Sequence, residues 1–152
     1  STTKLMATMN RARSTTAHCT TGKSWLRIES TVRVATPGHA NTVSVTMAQQ
    51  ALTKAGLTPN IVVDCSHANS YKDHALQPLV MKDVVNQVRF GNTSLVGIMV
   101  ESNLVEGKQT IPQDLSKLIY GCSVTDACVG WETTEEMILE AADALRDVLP
   151  GR

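Results

Sequence analysis

The chain has 152 residues, with 14 basic and 14 acidic side chains for a formal net charge of zero, 42% hydrophobic residues and only 3% aromatic ones. That length can bury one sizeable core, while the balanced charge leaves no basic footprint for nucleic acid and no apolar run reaches membrane-spanning length. Four cysteines with neither C-x-x-C spacing nor the density of a disulfide scaffold read as reduced thiols of a cytoplasmic protein.

Residues 1–30 show no clear period and read as an irregular opening, with one short helix over Lys4–Met9. Gly22-Lys23-Ser24 suggests a phosphate loop, but the glycine required five positions earlier is Ala17 and no apolar strand precedes it. Residues 31–152 form the ordered part. Thr31–Ala35 and Thr42–Val45 alternate as strands do, and Pro37–Asn41 between them has turn chemistry, so the pattern predicts a β-hairpin. A helix over Met47–Ala55 follows, with Ala48, Ala51, Leu52 and Ala55 on one face and Gly56 at its stop.

Ile61-Val62-Val63 is apolar without alternation, the mark of a buried parallel strand, and it runs into the polar turn Asp64-Cys65-Ser66-His67-Ala68-Asn69-Ser70. His67 thereby stands outside the carboxyl end of a strand, where α/β proteins place their chemistry. The next helix is expected from His74 to Val88, with Leu79, Val80, Val84 and Val88 on one face and Gly91-Asn92 closing it; His74 reads as a solvated residue of the helix start. Leu95–Val100 is a second buried strand that ends at Glu101. A loop containing Pro112 then leads to Asp126, and Thr133-Thr134-Glu135-Glu136 is expected to cap a final helix with Met137, Ile138, Ala141, Leu145 and Val148 as its buried stripe. In a parallel sheet His67 and Glu101 emerge at one rim, and Asp126 can fold back to it. One imidazole and two carboxylates suit a divalent ion such as manganese, iron, cobalt or zinc.

Three turns, Ser66-His67-Ala68-Asn69-Ser70, Glu101-Ser102-Asn103-Leu104-Val105-Glu106-Gly107-Lys108-Gln109 and Ser123-Val124-Thr125-Asp126-Ala127-Cys128-Val129-Gly130-Trp131, occur in the order and near the spacing of signatures in one enzyme family. On these residues the chain, from about Ala48 onward, resembles the C-terminal part of the class I 3-deoxy-D-arabino-heptulosonate 7-phosphate (DAHP) synthases. The resemblance implies a (β/α)8 barrel, and aldol-type condensation of phosphoenolpyruvate with erythrose 4-phosphate at the head of the shikimate pathway to aromatic amino acids. It also implies His67, Glu101 and Asp126 as metal ligands, with His67 at the reacting centre and Cys128 as an additional site contact. Cys65, beside the site in sequence, reads as a core residue.

A complete barrel takes roughly 250 residues, so the expected fold is α/β, a partial barrel of the last two to three βα units, with the strands around Val43, Val63 and Ile98 parallel neighbours and helices on one outer face. The family's fourth ligand, a cysteine, and most of its phosphate-binding Arg and Lys segments lie outside the match. The Ile-Leu-Arg-Gly-Gly motif that ends its sixth strand is not found after Val45, and Lys72, Lys108 and Lys117 read as solvated charges. Two functions follow. The chain is a synthase part whose site is completed by a missing barrel half or a second copy, or it is a reduced, non-catalytic relative serving as a metal-binding, structural or regulatory module. An open half-barrel exposes strand edges, so self-association is expected unless the opening segment covers one.

Overall fold

The computed structural model describes residues 3–8, 31–34 and 42–151. A four-stranded sheet runs in the order β1 (Thr3–Thr8), β4 (Leu95–Ser102), β3 (Asn60–Asp64), β2 (Thr31–Val34). β2, β3 and β4 are parallel neighbours, with Val34 opposite Val63 and Val63 opposite Ile98. β1 is antiparallel to β4, from Thr3 opposite Ser102 to Thr8 opposite Gly97. The parallel strands are joined by α1 (Thr42–Lys54) and α2 (Gln77–Arg89). A small second sheet pairs β5 (Val105–Lys108) with β6 (Cys122–Ser123), and α3 (Trp131–Leu145) closes the fold.

The expected adjacency of the strands around Val63 and Ile98 is therefore observed, while the hairpin is not. Thr42–Val45, expected as its second strand, is the first turn of α1. Burial decides between the two periods: Val45 is fully buried and Leu52 nearly so, with Ala48 packed beside them, which is helical spacing. The Thr46 hydroxyl is satisfied inside the helix by donating to the Thr42 carbonyl at 2.7 Å. Ala51 and Ala55, assigned to the inner face, are exposed. Lys4–Met9, expected as a helix, lies largely in β1, where the ladder offered by β4 outweighs local preference. The expected turn Pro37–Asn41, the Gly22-Lys23-Ser24 triplet, Cys19 and the rest of the opening segment lie outside the described residues.

Helix ends follow sequence chemistry. Gly56 takes φ +74, and the Leu57 and Gly56 amides donate to the carbonyls of Leu52 and Thr53, the paired bonds of a glycine-terminated helix. Pro78 occupies the first turn of α2, where its missing N–H costs nothing. Val80, Val84 and Val88 face inward as expected, but Leu79 is 60% exposed and Met81 and Val85 share the inner face instead. α3 begins at Trp131 after Gly130, earlier than the Thr133-Thr134 cap. Thr134 is instead buried within it, its Oγ1 bonded to the Gly130 carbonyl at 2.8 Å and to Ser102 Oγ at 2.6 Å.

One continuous core joins Ile61, Val63 and Cys65 of the β3 segment, and Ile98 and Val100 of β4, to inward residues of α1, α2 and α3. Alternation along a strand puts successive side chains on opposite faces. Asp64, between Val63 and Cys65, and Glu101, next after Val100, consequently belong to the other face, away from the helix layer.

Candidate metal centre

The chain after β3 turns sharply because His67 adopts the left-handed backbone at φ +51, with Tyr71 and Lys72 following at +53 and +63. Such values are unusual for residues other than glycine, and they persist where neighbouring contacts over-determine them. Here those contacts come from the turn's own polar residues. Asn69, fully buried, donates its side-chain amide to the Asp64 carbonyl at 2.7 Å, and the Lys72 amide donates to the His67 carbonyl at 2.7 Å.

Asp64 is the anchor of the turn and is itself fully buried. Its Oδ1 accepts from the Ser66 amide at 2.9 Å and from Ser66 Oγ at 2.6 Å, while its Oδ2 lies 2.9 Å from His67 Nδ1. Ser66 Oγ is also 2.7 Å from Nδ1. Since the Ser66 hydroxyl proton is committed to Asp64, both contacts at Nδ1 require a proton on Nδ1. That network assigns the tautomer and leaves the Nε2 lone pair outward.

Two carboxylates stand before that lone pair: Glu101 Oε1 at 3.9 Å from Nε2 and Asp126 Oδ2 at 3.5 Å. Glu101 is 1% exposed, and its backbone is clamped by the buried Gln77 at the start of α2. Gln77 Nε2 donates to the Glu101 carbonyl at 3.0 Å, and the Glu101 amide donates to Gln77 Oε1 at 2.9 Å. Asp126 is exposed, but its loop is tied to the end of β4 by the Val129 amide donating to the Glu101 carbonyl and to β5 by two bonds between Gly107 and Cys128.

The ligand atoms of His67, Glu101 and Asp126 lie within 4.8 Å of one another. Nitrogen and oxygen donors bonded at about 2.1 Å to one ion stand at most about 4.2 Å apart, so both contacts of Nε2 already have that spacing. One imidazole and two carboxylates form a donor set for a borderline divalent cation, and the three could hold one.

Cys128 is fully buried beside this group, its Sγ directed to the Asp126 carbonyl at 3.5 Å. Burial raises its pKa, a hydrogen bond with Ser123 opposes that, and the nearby Glu101 and Asp126 carboxylates add to the rise, so the thiol is neutral. Cys65 lies in the hydrophobic core, as expected, and burial followed by the Asp64 charge pushes its pKa far up. Cys65, Cys122 and Cys128 are all free thiols.

A cleft of about 210 Å3 opens over the triad, and Lys72, His74 and Lys108 are among the residues that line it. His74, expected as a merely solvated residue, is mostly covered and has Nε2 3.1 Å from Glu106 Oε1. Lys72 and Lys108, read as solvated charges, are exposed yet border the triad; Lys117 is exposed and outside the lining.

The triad and its three turns can be set against known proteins. The family described as the DAHP synthetase I family matches residues 4–139. The chain belongs to this family. Over 108 residues it is 44% identical to the Tyr-sensitive phospho-2-dehydro-3-deoxyheptonate aldolase of Escherichia coli, covering 71% of this chain and 30% of that protein. Over 110 residues it is 47% identical to the phenylalanine-inhibited aldolase of Saccharomyces cerevisiae, covering 68% and 30%. A solved aldolase of that name from Francisella tularensis superposes with a TM-score of 0.65 at 39% identity, covering 70% of this chain and 30% of that one. The chain thus spans about a third of the length of these relatives.

Sequence reasoning found the three grouped side chains and missed what holds them. Asp64 had a visible signal, an acidic interruption at the end of an apolar strand three residues before His67. Gln77 had none, since its partner lies 24 residues away. The strand before α1 was sought at Val43–Val45 and is instead β2, with Arg33 opposite Val62.

Proposed function

We propose that this chain carries the metal-binding portion of a phospho-2-dehydro-3-deoxyheptonate aldolase, the DAHP synthase reaction in which phosphoenolpyruvate condenses with erythrose 4-phosphate and releases phosphate. β2–α1–β3–α2–β4 would be successive βα units of a barrel, in a cytoplasmic protein, with the remaining units supplied from elsewhere or by assembly with another copy. His67, Glu101 and Asp126 are the ligands of a divalent cation, manganese, iron, cobalt or zinc. When bound, the cation supplies Lewis-acid polarisation of a carbonyl. The residues of this chain prepare for it: Asp64 and Ser66 hold the His67 proton on Nδ1, Gln77 fixes the backbone of Glu101, and the Gly107–Cys128 bonds bring Asp126 across.

The observation that carries the reading is that Nε2 of His67 faces two carboxylates while Nδ1 is held by a buried third. Calorimetric titration of manganese tests it. His67→Ala, Glu101→Ala and Asp126→Ala should each remove most of the affinity, while Asp143→Ala, an exposed carboxylate on α3, should not; equal binding by all four variants rejects the site.

One observation favours a second reading, a non-catalytic metal-binding or regulatory relative. A closed barrel of this type is all parallel, whereas the β4 edge is held by the antiparallel β1. A barrel half that complements the chain and restores condensation would reject this alternative.

A further inference from the structure

We propose that His74 and Glu106 are positioning residues for the metal centre: their hydrogen bond latches β5, which holds the Asp126 loop, to the segment that holds His67 and Glu101. The inference deepens the metal-centre reading and rests on it for the identity of the ligands.

Asp126 is the most exposed member of the triad. Its side chain is 65% exposed against 2% for Glu101, so its place before His67 Nε2 depends on what holds its loop. That loop is bonded along β5. Gly107 exchanges two bonds with Cys128, the Gln109 amide donates to the Ser123 carbonyl at 2.7 Å, and the Val105 amide donates to the Gly121 carbonyl at 2.9 Å. The far end of the loop packs on the same strand, since a Cβ on Gly130 would stand 3.5 Å from the Glu106 Cβ. β5 and the Asp126 loop are thereby tied into one piece, with Glu106 in its middle.

Residues 72–77 reach every part of the centre. The Lys72 amide donates to the His67 carbonyl at 2.7 Å, and Gln77 clamps the Glu101 backbone. Between them His74 opens a short 3-10 turn capped by Asp73, whose Oδ1 accepts from the Ala75 amide at 3.0 Å. His74 Nε2 lies 3.1 Å from Glu106 Oε1, a contact across 32 positions of chain. A carboxylate only accepts, so Nε2–H donates, and the neutral Nε2–H tautomer and the imidazolium both supply that donor. The segment that fixes His67 and Glu101 thus also fixes the piece that carries Asp126. Without the latch, cation binding would have to order that piece, and ordering lowers affinity.

Manganese titration and amide exchange, both on the whole chain, test the latch. His74→Ala and Glu106→Ala should each weaken manganese binding about two- to fivefold, the scale of a partly exposed pair. The double variant should lose no more than either single one, because each change removes the same bond. His74→Gln, whose side-chain amide keeps a donor near the place of Nε2, should retain the native affinity. In the metal-free chain the Gly107 and Cys128 amides should exchange faster in both alanine variants, while the Glu101 amide, held by Gln77, should exchange as in the native chain. That contrast separates release of the latch from a general loss of folding.

Faster exchange at Gly107 and Cys128 in the alanine variants, with no manganese bound by the native chain, would uphold the latch and count against the metal centre. Native manganese affinity in both alanine variants, or unchanged exchange at Gly107 and Cys128, would overturn the latch, and manganese binding by the native chain would then leave the metal centre standing.

Discussion

Asp64→Asn changes one atom and should cost much of the metal affinity. The buried Asp64 side chain accepts three bonds through two oxygens, two from Ser66 and one from His67. An asparagine of the same shape keeps its carbonyl oxygen where the Ser66 amide and hydroxyl donate, and this turns its NH2 toward His67 Nδ1. A donor now faces a donor, so the imidazole moves its proton to Nε2 and the lone pair that faced Glu101 and Asp126 is lost. Restoring the original tautomer means leaving a buried polar contact unmade, which costs about 1–3 kcal/mol. Partners of metal-bound histidines typically contribute tenfold to hundredfold in affinity, or about 1.4–2.7 kcal/mol, and the two figures agree. Manganese titration of the native chain, Asp64→Asn and His67→Ala, each checked for an unchanged circular dichroism spectrum, reads the effect. The expected order is native, then Asp64→Asn weaker by that factor, then His67→Ala with little binding left. Asp64→Asn equal to native while His67→Ala fails would show that the tautomer is not held through Asp64.

Val84→Ala, at a fully buried position of α2, should lower unfolding stability by about 1.5–3 kcal/mol whereas Leu79→Ala at a 60% exposed position should change it by less than about 0.5 kcal/mol; urea unfolding distinguishes them. Burial raises the Cys65 pKa, so the folded state keeps the thiol neutral while the unfolded chain ionises it near its ordinary value of 9.0. That contribution is complete below pH 9 and is lost above it at about 1.4 kcal/mol per pH unit, and a stability profile from pH 7 to 10.5 should bend downward accordingly. The chain by itself should not condense phosphoenolpyruvate with erythrose 4-phosphate, because orientation and charge stabilisation of two phosphorylated substrates are each commonly worth orders of magnitude; phosphate release requiring both substrates, from a preparation free of host synthase, would refute this. Removing residues 1–8 should convert the chain to self-associated species in light scattering, since it bares the β4 ladder, and an unchanged mass would refute the covering role of β1.

The site was legible where chemistry is local. His67, Glu101 and Asp126 each end or follow a strand inside a polar turn, and parallel pairing of β3 with β4 brings two of them to one rim. Errors arose where two periods fit the same residues. Thr42-Val43-Ser44-Val45 alternates as a strand does, yet Val45, Ala48 and Leu52 also mark a helical stripe, and only the space above β3 selects the second. Leu79 shows the same limit in miniature: an apolar residue one position off the inner face is indistinguishable by composition from one on it. Gln77 illustrates what no local pattern contains, a polar core residue whose partner is a backbone 24 positions away.

β1 bears on both functional readings because it occupies the β4 edge in the wrong direction for a closed parallel barrel. Its six register pairs, Thr3 with Ser102 through Thr8 with Gly97, satisfy the backbone groups that an open half-barrel would leave bare. A parallel strand arriving from a completing half must displace β1, but the exchange is nearly even in hydrogen bonds, since one ladder replaces another at similar net value per bond. What tips it is the apolar surface that the rest of a barrel would bury against the Glu101 face and against the outer helices. On the proposed barrel reading the same six-residue strand would cover the β4 edge of the chain alone and would yield to a larger complement. The metal triad is indifferent to the exchange, because His67 and Asp126 lie on turns beyond the sheet and the Glu101 backbone is clamped by Gln77.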